Sequence, residues 1–238
     1  IQPNAKLFMF SSPSNPTGAL YTKEELAALV KVFEKHPQVY IMSDEIYEHI
    51  NYSGAHESIA QFESVKDRVI VINGLSKGFA MTGWRLGYMA APIEIAKACE
   101  KIQGQFTSGT NAIAQRAAIA ALLGDLKPTH EMVQAFRTRR DSVIQWLKEI
   151  PGLEIDTPPA AFYAFPVVKS YFGKSTPNGE RIQNADDLCM YLLNTAHVST
   201  VTGRAFGEPD CIRMSFANSM ENLEKGFSKI RKALADLQ

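Results

Sequence analysis

Three polar residues of this 238-residue chain could act on a small molecule, and each closely follows an apolar run: Asn15, Asp44 and Lys77. The runs are residues 6–10, 39–42 and 68–72, closed respectively by Ser11-Ser12-Pro13, Ser43-Asp44-Glu45 and Asn73-Gly74. Short apolar runs bounded by turn residues read as buried strands of a parallel sheet. Ligands of such a sheet bind beyond the carboxyl ends of its strands. A carboxamide, a carboxylate and an amine are therefore expected on one rim. Each alone has a plainer reading. A single lysine is mostly a solvated surface residue, Asp44 could cap a helix starting at Glu45, and Asn15-Pro16-Thr17-Gly18 has the composition of a tight turn. Arg85 and Arg213 taken singly would count as surface arginines. The functional case rests on the combination.

The elements that must position these residues alternate. Thr22-Lys-Glu-Glu25 forms a capping box ahead of Leu26, Leu29, Val30 and Phe33, which share one helical stripe. A fourth strand is expected over residues 85–90, with Pro92 opening the next helix where its missing N–H does no harm. Strands alternating with helices predict an α/β fold with a doubly wound, mainly parallel sheet. After an Ala-rich helix over residues 110–123, Gly124-Asp-Leu-Lys-Pro128 breaks the pattern. A long helix is expected from Thr129, its apolar stripe of Val133, Phe136, Val143, Leu147 and Ile150 interrupted only at Arg140. Short strands and two helices follow, one after Asn184 carrying Leu188, Tyr191 and Leu192, and one after Ser219 carrying Leu223, Phe227, Ile230 and Leu234. This predicts a large domain over residues 1–128 and a smaller α+β domain over residues 129–238. Dense Pro, Gly and Ser across residues 172–179 predict an exposed loop, and no internal repeat of solenoid length is visible.

Composition excludes several classes of function. Lys+Arg and Asp+Glu are both 25, a formal net charge of zero without a block of five like charges, which argues against nucleic acid as a partner. No apolar run approaches the roughly 18–20 residues that span a bilayer. Three widely spaced cysteines, Cys99, Cys189 and Cys211, suit neither a disulfide framework nor a zinc ribbon and fit a reducing cytoplasm. His49 and His56 lack the spacing of a zincin helix and the five histidines form no metal cluster, so no metal is expected. Gly173-Lys174-Ser175 lacks the earlier glycine of a phosphate loop, that position being Val168.

Four segments, in order, resemble the class I aminotransferases, pyridoxal-phosphate enzymes of the aspartate aminotransferase fold type. Asn73-Gly-Leu-Ser-Lys77-Gly-Phe-Ala-Met-Thr-Gly-Trp-Arg85-Leu-Gly87 is similar to that family's cofactor-lysine signature. Ser14-Asn15-Pro16-Thr17-Gly18 resembles its Asn-Pro-x-Gly turn, Ser43-Asp44-Glu45-Ile46-Tyr47 its Asp-Glu-x-Tyr strand end, and Cys211-Ile-Arg213-Met-Ser-Phe-Ala217 its C-terminal arginine strand. The resemblance implies the partial large domain of a pyridoxal-phosphate transferase followed by its small domain. It also implies pyridoxal 5'-phosphate as cofactor, an amino acid (aspartate in the most similar bacterial-type members) and a 2-oxo acid as substrates, and a homodimer. Lys77 would bond the cofactor's aldehyde carbon and shuttle a proton, which needs a depressed amine pKa. Asp44 would keep the pyridine nitrogen protonated. Asn15 and Tyr47 would hydrogen-bond the ring's 3'-oxygen, Ser76 and Arg85 the phosphate, and Asn15 and Arg213 the substrate, the arginines as planar bidentate forks.

The chain departs from that pattern in three places. Gly74 stands where many members have a phosphate-binding serine, leaving Ser76 as the nearby hydroxyl. Ala160-Ala161-Phe162-Tyr163 stands for the usual Gly-Ala-Phe-Tyr, where a glycine could serve a positive φ or a close approach. The family's Gly-rich phosphate loop, ring-stacking aromatic and partner-subunit tyrosine lie upstream of the Asn-Pro turn, and only 14 residues precede Asn15. The resemblance thus covers roughly the C-terminal three-fifths of a member. With Ile1 running almost directly into a strand, the chain is expected to be entered partway, its sheet lacking strands. Two other readings compete. Gly74-Leu-Ser76-Lys-Gly78 fits the Gly-x-Ser-x-Gly elbow of serine α/β-hydrolases, with Asp186 or Asp187 and then His197 in the matching order. A non-catalytic aminotransferase-like sensor domain would keep the same motifs.

Overall fold

The structure, a computed structural model, describes residues 1–238. It divides into two compact units: Ile1–Ser14 with Ala19–Val133, and Asn15–Gly18 with Gln134–Gln238.

In the first unit β1 (Leu7–Ser11), β2 (Tyr40–Asp44) and β3 (Val69–Gly74) pair in parallel, and β4 (Gly87–Ala90) adds antiparallel to β3. Ser11 pairs with Asp44 and Asp44 with Ile72, so the three parallel strands end nearly level. That register turns three separate sequence segments into one rim. The fourth strand starts two residues later than expected, because Arg85 takes a left-handed conformation (φ 52°) that cannot join a ladder. α1 (Lys23–Phe33) begins at the expected capping box: Glu25 N–H donates to Thr22 Oγ1 at 3.2 Å, and Thr22 N–H to Glu25 Oε2 at 2.8 Å. Its buried stripe of Leu26, Val30 and Phe33 joins Ile41, Ile59, Val65 and Val69, with Phe8 and Phe10 packed against them. Arg68, expected as the first residue of a strand, instead donates from its guanidinium to the carbonyls of Phe33 (2.8 Å), His36 (2.9 Å) and Val39 (2.8 Å). A cation thus answers the carbonyls at and beyond the C-terminal end of α1. α2 (Ile93–Phe106) buries no side chain, and α3 (Ala112–Leu123) buries only Ala114 and Ala118. Ile93, Ile102, Phe106, Ile113 and Leu123 are left exposed, Phe106 to 84%.

α4 (Lys127–Lys148) starts earlier than the sequence suggests and carries Pro128 in its first turn, where no intrahelical N–H is needed. In the second unit β5 (Tyr163–Ala164), β6 (Val201–Thr202) and β7 (Ile212–Ser215) form an antiparallel sheet in the order β5-β7-β6. α5 (Ala185–Tyr191) continues as a π-turn over Leu192–Ala196, and α6 (Met220–Ala235) follows the Ser219 cap. Arg140, the break in the apolar stripe, reaches Pro158 O at 3.3 Å and Asp141 Oδ1 at 2.8 Å. The loop over residues 172–179 is exposed only in part. Thr176 is buried, and the Ser175 backbone exchanges hydrogen bonds with Gln238 in both directions, tying the loop to the C-terminus. No helix is long and apolar enough to cross a membrane.

Candidate active site

At one edge of the first unit's sheet, Asp44 ends β2 with Tyr47 on the turn after it, and Ser76 and Lys77 lie on the turn after β3. Asp44 ends β2, and the backbone then turns through Ile46–His49 rather than starting a helix. Asp44 Oδ1 accepts from Ile46 N–H at 3.1 Å; its other oxygen bonds nothing in the chain. The helix-capping reading of Asp44 therefore fails, and the carboxylate closes a local turn through one oxygen. Tyr47 sits on this turn with 4% of its surface exposed. Lys77 lies in the turn after β3, where Ala80 N–H donates to Lys77 O at 3.1 Å and Met81 N–H to Leu75 O at 3.2 Å. The two turns touch: a Cβ on Gly78 would lie 2.6 Å from His49 Cδ2, and the His49 and Phe79 rings meet edge to face at 5.3 Å.

Gly74 explains one departure from the resemblance. A Cβ there would lie 2.9 Å from Gly87 Cα, 3.0 Å from Leu86 O and 3.3 Å from Ile46 Cδ1, so a serine has no room. Ser76 keeps a half-buried hydroxyl without a partner in the chain, whereas Thr82 Oγ1 is committed to Ser76 O at 2.9 Å. Arg85 donates to Thr82 O at 3.0 Å and meets no carboxylate. It lines an open hollow of about 550 Å³ with Ala80, Gly83, Trp84, Asn111 and Ile113.

A network of polar side chains lies behind this rim. Glu45, 3% exposed, accepts at Oε1 from Ser43 Oγ (2.9 Å) and Ser58 Oγ (2.7 Å), and its Oε2 lies 2.9 Å from His56 Nε2. Glu48 joins Glu45 and His56, with ligand-type atoms of all three within 4.8 Å. Burial, then the charges of Glu48 and Glu45, push the Tyr88 phenol above its ordinary pKa. His56 thus lies with two glutamates, a grouping that the spacing of the histidines in the sequence does not reveal. A glutamate directly after a strand-end aspartate was the only signal; its partners are scattered over residues 43–58.

In the second unit Arg213 Nη1 donates to Asn15 Oδ1 at 2.8 Å. The guanidinium lies 4.7 Å from the Tyr163 ring centroid and 4.9 Å from that of Phe206, and no carboxylate pairs with it. Such a stacked fork, with donors to spare, suits a planar carboxylate. Gly18 (φ +70°) packs so closely that a Cβ would collide with Ala160 O. The positive φ of the Ala160-Ala161 pair falls on Ala161 (58°), so position 160 does not require a glycine's left-handed backbone.

The hydrolase reading finds no support. The chain after Ser76 makes a turn, a short 3-10 segment and a strand, where an elbow requires a helix. Asp186 pairs with Arg204 at 2.9 Å and Asp187 accepts from Gln183 N–H at 2.8 Å, so neither orients His197.

Residues 1–230 match the family described as aminotransferase class I and II. A bifunctional aspartate aminotransferase and glutamate/aspartate-prephenate aminotransferase of Petunia hybrida is 45% identical over 240 residues, covering 98% of this chain and 50% of that protein. A probable aspartate/prephenate aminotransferase of Rhizobium leguminosarum bv. phaseoli is 43% identical, covering 98% and 58%. Among solved structures, the aspartate aminotransferase of Rhizobium meliloti superposes with a TM-score of 0.96 at 40% identity, covering all of this chain and 60% of that one. These neighbours bear out the α/β fold read from the sequence. The chain spans about half to three-fifths of the length of the relatives it matches.

Proposed function

Because the chain belongs to the class I and II aminotransferases, we propose that it forms part of a pyridoxal 5'-phosphate enzyme moving an amino group between an L-amino acid and a 2-oxo acid. The names of its relatives favour aspartate as the amino acid. The observation that carries this reading is the strand register, which ends β2 at Asp44 level with Ile72, on the edge where β3 runs on into the Lys77 turn. The residues present suit the cofactor: Asp44 offers a carboxylate oxygen with no other partner, and Arg85 offers guanidinium donors that face no acid. When bound, the cofactor supplies an electron sink for a carbanion at the substrate's Cα.

The chain's own groups would supply part of what that chemistry needs. Asp44 would keep the ring nitrogen protonated, Tyr47 and Asn15 would donate to the ring's 3'-oxygen, and Ser76 and Arg85 would hold the phosphate. Lys77 would hold the cofactor through Nζ and, as a free amine, would take up the proton lost from the substrate's Cα. Arg213, stacked and bonded to Asn15, binds the α-carboxylate.

Association with a second copy is part of the proposal, supported by the exposed apolar side chains of α2 and α3; light scattering tests it. A cytoplasmic setting is supported by three unpaired cysteines. Adding pyridoxal phosphate, reducing with borohydride and mapping the labelled peptide should place the cofactor on Lys77. A label on Ser76 from a fluorophosphonate, with none on Lys77 from borohydride, would overturn the reading.

A further inference from the structure

We propose that Glu45 is a positioning residue, its buried carboxylate fixing the turn that carries Asp44 and Tyr47 against the Lys77 loop. The inference rests on the aminotransferase reading for its effect on turnover, but its geometry stands alone. Three side chains from separate segments converge on one carboxylate: Ser43 from β2, His56 from the following loop, and Ser58 from the cap of the 3-10 turn at Ile59–Gln61. Ile59 in turn is fully buried in the core of the first unit. Glu45 N–H also donates to Ile72 O at 2.8 Å, tying the same residue to β3.

Burying a carboxylate is costly unless every lone pair is answered, and an apolar residue would fill the space with less penalty. What the carboxylate adds is position. It joins the core to a turn otherwise held by Ile46 N–H on Asp44 Oδ1 (3.1 Å), Glu48 N–H on Glu45 O (2.9 Å) and Ile50 N–H on Tyr47 O (2.8 Å). That turn bears on the cofactor loop twice, through His49 on Gly78 and Phe79, and through Ile46 beside Gly74. If the Glu45 anchor slips, Asp44, Tyr47 and the Lys77 turn shift together.

Amide hydrogen exchange and steady-state kinetics on the full chain test this. In Glu45→Ala the amides of Ile46, Glu48 and Ile50 should exchange about tenfold faster while those of α1 and β1 keep their rates. In the cofactor-loaded protein kcat should fall about tenfold with KM within about twofold, since Arg213 is untouched. Glu45→Gln keeps an oxygen for both serine hydroxyls and should stay within about threefold of the parent on both readouts. Unchanged protection of the three amides in Glu45→Ala overturns the proposal, as does equal acceleration throughout the first unit, which would mark a purely structural carboxylate. Should Glu45→Ala fail to fold, His56→Ala decides: acceleration confined to the turn supports the anchor, and none refutes it. Failure of the parent protein to take up pyridoxal phosphate would sink the aminotransferase reading and leave the exchange result standing.

Discussion

Restoring the serine that many family members carry at position 74 should damage this protein. Its Cβ would enter 2.9 Å from Gly87 Cα, at the start of the antiparallel partner strand, and 3.0 Å from the backbone oxygen of Leu86 just before it. Neither can swing aside like a side-chain tip, so β4 must move by a few tenths of an ångström or more. Overpacking of this kind costs about 1–3 kcal/mol, which for a chain of this size lowers the melting midpoint by roughly 2–4 °C per kcal/mol. Arg85 stands two residues before Gly87, so the shift also moves the proposed phosphate ligand. Urea unfolding followed by circular dichroism on Gly74→Ser and Gly74→Ala gives the answer, with cofactor titration alongside. If the Cβ is the cause, the two variants lose similar stability and Gly74→Ser gains no cofactor affinity from its hydroxyl. A Gly74→Ser protein as stable as the parent, or binding the cofactor more tightly, would refute the argument. Ser76→Ala should then be the change that weakens binding, by about tenfold or more for a lost charge-assisted hydrogen bond.

Other perturbations follow from single features. Arg213→Lys keeps the charge but loses the fork and the stack on Tyr163 and Phe206; substrate KM should rise about ten- to hundredfold while the bound-cofactor absorbance survives, and its loss would contradict the assignment. Arg68→Met strands three carbonyls at once and should cost about 3–5 kcal/mol in denaturant unfolding, far more than an exposed arginine would. Burial, then Glu208 and Asp210, push the Cys211 thiol up from 9.0 to about 11. The unfolded chain therefore loses its proton first, so stability should hold below pH 9 and fall between about pH 9 and 11, at no more than about 1.4 kcal/mol per pH unit. Cys211→Ala should flatten that part of the profile; an unchanged slope assigns it to other groups. At neutral pH a thiol reagent should label exposed Cys99 well before Cys211.

Apolar runs and caps were enough to read the first unit's strands, because a parallel strand buried on both faces shows itself in its own few residues. Local chemistry decided the edges. Left-handed Arg85 delays β4, and Pro128 opens α4 instead of preceding it, neither visible in hydrophobic period. Long-range pairing was out of reach. Asn15 and Arg213 are 198 residues apart and meet through one hydrogen bond, which only the motif resemblance linked. Arg68 read as the start of a strand because its neighbours are apolar, whereas three carbonyls from another segment set its place. Glu45 stayed hidden for the same reason: its partners are ordinary serines and a histidine that only folding assembles.

The four residues Asn15–Gly18 belong with the second unit although the chain on both sides of them lies in the first. Cutting the polypeptide at one peptide bond therefore cannot yield both halves whole. A fragment beginning at Gln134 would lack the carboxamide that Arg213 bonds and the glycine seated on Ala160. Supplying that short peptide in trans, or grafting it onto the fragment's leading end, would be the natural repair, and a circularly permuted chain opened elsewhere should tolerate rearrangement better than a simple bisection.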